Sequence, residues 1–137
     1  MPVGYLDTNV LIHYLTNDDP QKADQVRSLI EKVERGTESI TTSELVIAEV
    51  VYILSSKKLY NLPRPDICTH LSRFLRLKGL QMRHKKRCLR ALALYESVPI
   101  DFSACFIVAS VEQEHHTGVI SFDTDYDCVP SVQRTEP

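Results

Sequence analysis

Two short apolar runs, each ending on an aspartate, constrain this chain more than any other feature. Val3 to Leu6 stops at Asp7 and passes through Thr8-Asn9 into the apolar stretch Val10 to Leu15, and Val119 to Phe122 stops in the same way at Asp123. Runs this short suit strands better than helices. Helical periods lie between them. Ala23, Val26, Leu29, Ile30 and Val33 share a face from Pro20 to Arg35, with Gly36 as a stop signal. Ser43 to Leu54 is apolar on every side, as expected of a helix packed deep in a domain. Further helices are expected through Ile67 to Leu77, Cys88 to Tyr95 and Asp101 to about Glu114, the last capped by Asp101 or Ser103. Ser39 to Thr41 and Gly79 to Met82 suit additional strands. Short strands alternating with helices predict an α/β sandwich around a largely parallel sheet, because parallel neighbours need helical crossovers.

No linker, repeat or low-complexity tract interrupts residues 1–137, so they read as one domain. A formal net charge of -2 excludes nucleic-acid binding through a strong overall positive field and leaves only a local basic patch. Cys68, Cys88, Cys105 and Cys128 form no CxxC pair, so buried reduced thiols are expected rather than a zinc site or disulfide framework. The N-terminus lacks a basic region followed by a long apolar one, and no apolar run is long enough to span a bilayer. The cytoplasm is therefore the expected location, with no membrane partner.

Carboxylates carry the chemical signal. In parallel sheets ligands bind beyond the carboxyl ends of the strands, where Asp7 and Asp123 stand. Either one could also simply cap the next helix. Glu49 sits mid-helix between Ile47-Ala48 and Val50-Val51, where a buried carboxylate costs several kcal/mol unless a cation or metal answers it. Asp125 and Asp127 follow Asp123 in the run SFDTDYD. Such oxygen-rich, histidine-poor donors suit Mg²⁺ or Mn²⁺ rather than zinc. Asn9 and Ser121 could orient a carboxylate or hold a water, and each could equally be a cap or strand-end hydroxyl.

The pieces LDTNVLI, AEVVYIL, DFSACFIVA and VISFDTDYD, in that order, resemble the PIN-domain family, in particular its VapC-like toxin branch, across essentially the whole chain. The resemblance implies a three-layer α/β/α sandwich whose acidic pocket binds Mg²⁺ or Mn²⁺ and hydrolyses RNA. By position it carries the family's acids onto Asp7, Glu49 and Asp123, with Asp125 as an accessory metal ligand. The remaining family aspartate falls on Ala104. Either Ala104 is an engineered replacement, the favoured reading, or it is a natural variant in which Asp101, one helical turn away, compensates. The resemblance also implies a homodimer and a cognate antitoxin that covers the pocket.

The basic stretch Arg73, Arg76, Lys78, Arg83, Lys85, Lys86, Arg87 and Arg90 could supply phosphate contacts to RNA, with Arg83, Lys85, Lys86 and Arg87 as its first candidates, or could be a solvated helix face. The alternative to a metal-dependent endoribonuclease is a PIN scaffold that has lost catalysis and binds RNA or protein.

Overall fold

The computed structural model describes residues 3–137. Met1 and Pro2, which belong to the N-terminal stretch read above for a leader, lie outside them. The chain divides into two compact units, Met1–Arg83 and His84–Pro137. It is mostly helical, with small parallel sheets.

In the first unit β1 (Gly4–Tyr5) pairs in parallel with β2 (Ile40–Thr41), Gly4 opposite Ile40 and Tyr5 opposite Thr41. The crossover contains α1 (Thr8–Thr16) and α2 (Pro20–Arg35). Asp19 caps α2 ahead of Pro20 at its first position, and Gly36 ends it in the left-handed region at φ 78°, donating to the carbonyls of Lys32 and Val33. Ala23, Val26, Ile30 and Val33 form its buried stripe, as their spacing predicts.

Gly79 to Met82 does not form the expected strand. Only Leu80 bridges to Ile40, while the Gly79 N–H is given to Val33 O at 2.9 Å and that of Leu80 to Leu77 O at 3.1 Å. Donors already committed to α2 and to a turn leave little for a ladder. Space is also short at Gly79, where a Cβ would lie 2.2 Å from the Glu38 carbonyl oxygen.

Ser43 caps α3 (Glu44–Ser55), and Val46, Ile47, Val50, Val51 and Leu54 bury its inner face. Burial is not all-round, contrary to the expectation from sequence. Leu45 and Tyr52 are 77% and 73% exposed, so α3 presents an open face, and Glu49 lies on it. Next, α4 (Arg64–Leu75) buries Ile67, Cys68, Leu71, Phe74 and Leu75.

In the second unit α5 (Lys85–Ser97) packs on α6 (Phe102–Glu114). Tyr95 meets Phe102 edge-on at 6.2 Å, and Arg90 and Arg87 pair with Glu112 and Glu114. Those pairings run in opposite chain directions, so the helices are antiparallel. The strand β3 (Val119–Ile120) ends earlier than expected, and Phe122 is exposed. It pairs in parallel with an unanticipated β4 (Arg134–Thr135), with a 3₁₀ helix, Thr124–Cys128, between them.

Cys68, Cys88 and Cys105 are buried reduced thiols, whereas Cys128 is exposed, against expectation. It lies in the 3₁₀ turn, where its thiol donates to Asp125 O. Among the described residues no helix is long and apolar enough to cross a membrane.

Candidate carboxylate site

In the first unit the end of β1 and the middle of α3 meet through one residue. Asp7 N-caps α1, its Oδ1 accepting the Thr8 N–H at 2.7 Å. The Thr8 hydroxyl donates to Glu49 Oε2 at 3.0 Å. Thr8 itself is buried, and nearby the Thr42 hydroxyl, also buried, donates to Leu6 O at 3.0 Å, fastening the two strand ends. Thr8 thus holds both carboxylates, one through its backbone and the other through its side chain. Around them opens a cavity of about 290 Å³ lined by Asp7, Thr8, Asn9, His13, Glu49 and the apolar Ile12 and Ile53.

Glu49 and Asp7 are both exposed, so the burial cost expected for Glu49 does not arise. Glu49 stands at an open cavity with a hydroxyl donor beside it. Asp7 retains Oδ2 and Glu49 retains Oε1 outside these bonds. Two hard carboxylate oxygens in a water-accessible cavity fit the needs of Mg²⁺, which binds through one or two carboxylates and keeps several waters. Among the described residues no three His, Cys, Asp or Glu side chains form a ready-made metal cage.

In the second unit the acids again stand at helix starts. Asp101 caps α6, accepting the Ala104 N–H at 2.8 Å, and Asp123 caps the 3₁₀ turn, accepting the Asp125 N–H at 2.9 Å. The Ser121 hydroxyl accepts the Asp123 N–H at 2.9 Å and so fixes where that turn begins. Asp125 is exposed, and Ala104 is buried. Burial raises the Tyr126 phenol above its usual range, and the charges of Asp101 and Asp123, together with Cys105, add to the rise. Asp101 and Asp123 therefore both act on one buried ring.

Three features escaped sequence reasoning. Arg134 on β4 donates to both Asp127 oxygens at 2.9 and 3.2 Å, to Glu136 and to Ser121 O, tying the acidic turn to the sheet. It holds the Asp127 carboxyl below its usual range. His13 Nδ1 lies 2.7 Å from Asp18 Oδ1, and Tyr60 donates to Asp18 Oδ2 at 2.6 Å. Asn17, left-handed at φ 55°, turns the chain so that Asp18 folds back on His13. Tyr60 is 42 residues from Asp18, so no local pattern could have signalled it.

The third feature is the docking of α5 cations. Arg87 reaches Glu114 at 3.2 Å and lies over the Phe106 ring at 5.9 Å, and Arg90 makes a two-pronged pair with Glu112. These side chains hold α5 to α6. Of the basic residues singled out for RNA, Arg83 and Lys86 are exposed, and Lys85 is half-buried.

Compared with known proteins, residues 4–131 match the family profile described as PIN domain. No curated protein matches the chain.

Proposed function

The chain belongs to the PIN-domain family, and from that premise we propose that it is a metal-dependent endoribonuclease, the toxin of a toxin-antitoxin pair. PIN domains are typically nucleases. The observation that carries the reading to this chain is Thr8 holding Asp7 and Glu49 at an open cavity.

We assign metal binding to Asp7 and Glu49, and to Asp123 with Asp125 as accessory. Mg²⁺ or Mn²⁺, when bound, lowers the pKa of a water and neutralises charge developing on the phosphate. The residues of the chain do the positioning. Thr8 aims Glu49, the α1 cap fixes Asp7, and Ser121 fixes the turn that begins at Asp123. Asn9, one residue beyond Thr8, lines the cavity, and to it we assign the orienting of a water. Asp101 keeps Oδ2 outside its cap, so a carboxylate remains available one turn before Ala104. No nucleophilic side chain is needed.

Leu45 and Tyr52 lie on the same exposed face of α3 as Glu49, which supports a protein partner on that face, whether a second copy of the chain or an antitoxin. Arg83 and Lys86 are the cations we assign to RNA phosphates. Ala104 favours a second reading, a PIN scaffold without catalysis that binds RNA.

The deciding experiment is cleavage of a mixed tRNA pool by this chain and by Ala104→Asp, each with Mg²⁺ or Mn²⁺ and with chelator. Metal-dependent cutting by the Asp variant supports the ribonuclease. Binding of RNA by both with cutting by neither supports the scaffold.

A further inference from the structure

A second and larger cavity, about 580 Å³, lies among α1, α2 and α4, and neither Asp7 nor Glu49 lines it. Its volume is within the range of small-ligand sites. Ile30 and Phe74 are buried beneath it, and Leu15, Leu77 and Tyr14 form partly exposed walls. The rim is basic. Arg27 comes from α2, His70 and Arg73 from α4, and Arg76 from the residue that ends α4.

The cations differ in their commitments. Arg27 is paired with Asp24 on its own helix. Arg73 and Arg76 are exposed and have no ion-pair partner among the described residues. A cation at the C-terminal end of a helix is favoured by the helix dipole, which accounts for Arg73 and Arg76 at the end of α4. It does not account for cations from two helices meeting over an apolar floor. Glu34 is the one acid on the rim, so the cavity mouth carries a local positive excess in a chain of net charge -2.

We propose that this cavity binds a nucleoside phosphate, with the base against Tyr14, Ile30 and Phe74 and the phosphate on Arg73 and Arg76. Planar guanidinium groups bind phosphate through two parallel hydrogen bonds, and an aromatic and aliphatic floor accepts a base face without reading its edges. The same chemistry comes from two sources: a nucleotide within a single RNA strand or a free mononucleotide. The strand source rests on the ribonuclease reading above, whereas the cavity's affinity for a nucleoside phosphate does not.

The test uses the full chain and the double variant Arg73→Gln/Arg76→Gln. Both side chains are exposed, and an unchanged melting temperature verifies the fold. The probes are 5′-AMP, followed by NMR or calorimetry, and a short single-stranded RNA, followed by anisotropy over a salt series. Wild-type binding of 5′-AMP, weakened roughly tenfold or more in the variant, supports the site. For RNA the expected result is weaker binding and a salt slope smaller by about one. Loss with RNA but no binding of AMP identifies the strand as the source, and loss with AMP alone identifies a free nucleotide. Unchanged binding of both probes by the variant, or binding of neither by the wild-type chain, overturns the proposal. Cleavage by Ala104→Asp is scored separately, so a failure of this cavity is distinguishable from a failure of the ribonuclease reading.

Discussion

Thr8→Val isolates the contribution of a single hydroxyl. Valine keeps the β-branched shape of a buried residue, and the backbone N–H that binds Asp7 stays in place. What disappears is the 3.0 Å bond to Glu49. Because Glu49 is exposed, water replaces the lost donor, and the stability of the metal-free protein should change by less than about 1 kcal/mol. The orientation of Glu49 is not replaced by water. Removing a group that orients a metal-binding carboxylate typically weakens metal binding 10- to 100-fold. At a Mn²⁺ concentration of about 100 times the wild-type Kd, metal stabilises the folded chain by roughly 2.7 kcal/mol, and a tenfold weaker variant gains only about 1.4 kcal/mol. Melting curves recorded with and without Mn²⁺ should therefore show roughly half the wild-type shift for Thr8→Val and a nearly full shift for Thr8→Ser. Equal shifts for wild type and Thr8→Val, with both folded, would refute the claim that Thr8 positions a metal ligand.

Three further outcomes are expected. The Asp18 carboxyl, held down to about 2 by the Tyr60 hydroxyl first and then by His13, contributes stability above its unfolded value near 3.8 and loses it as pH falls toward 2; carboxyl NMR titration of Tyr60→Phe should move it upward. Gly79→Ala places a Cβ 2.2 Å from Glu38 O and should cost about 3 kcal/mol, seen as a fall in melting temperature of roughly 10 °C. Arg134→Ala removes the bonds to Asp127, Glu136 and Ser121 O, so hydrogen exchange at the Val119 and Ser121 amides should accelerate, while amides of α5 and α6 keep their protection.

Much of the fold was legible because the elements are locally self-consistent. The stripe of Ala23, Val26, Ile30 and Val33 and the stop at Gly36 belong to one helix and need nothing from elsewhere. The position of Asp7 just beyond β1 was readable too, whereas β3 stops at Ile120, three residues short of Asp123. The errors arose where tertiary context decides. The apolar residues of α3 suggested burial on every side, yet Leu45 and Tyr52 are open, because sequence does not say which face of an apolar helix the rest of the fold covers. β4 is two polar residues joined to β3 by backbone bonds, with no hydrophobic period to reveal it. Arg87 and Arg90 looked like surface charge because their acceptors, Glu114 and Glu112, lie on another helix. The His13, Asp18 and Tyr60 cluster was hidden for the same reason.

The helix caps bear on how the history of such a chain is judged. Asp7, Asp101 and Asp123 each satisfy the backbone at the start of a helical segment, a role commonly worth about 1 kcal/mol. A lineage that stopped cutting RNA would still be penalised for losing them. Their presence in this chain is therefore accounted for by folding alone. Glu49 caps nothing and carries no such protection, so across natural variants its retention or drift is the readout that tests the proposed metal-binding role. The same distinction guides mutagenesis: asparagine at a cap keeps the hydrogen bond and removes the charge, whereas alanine removes both and leaves the cause of inactivity ambiguous.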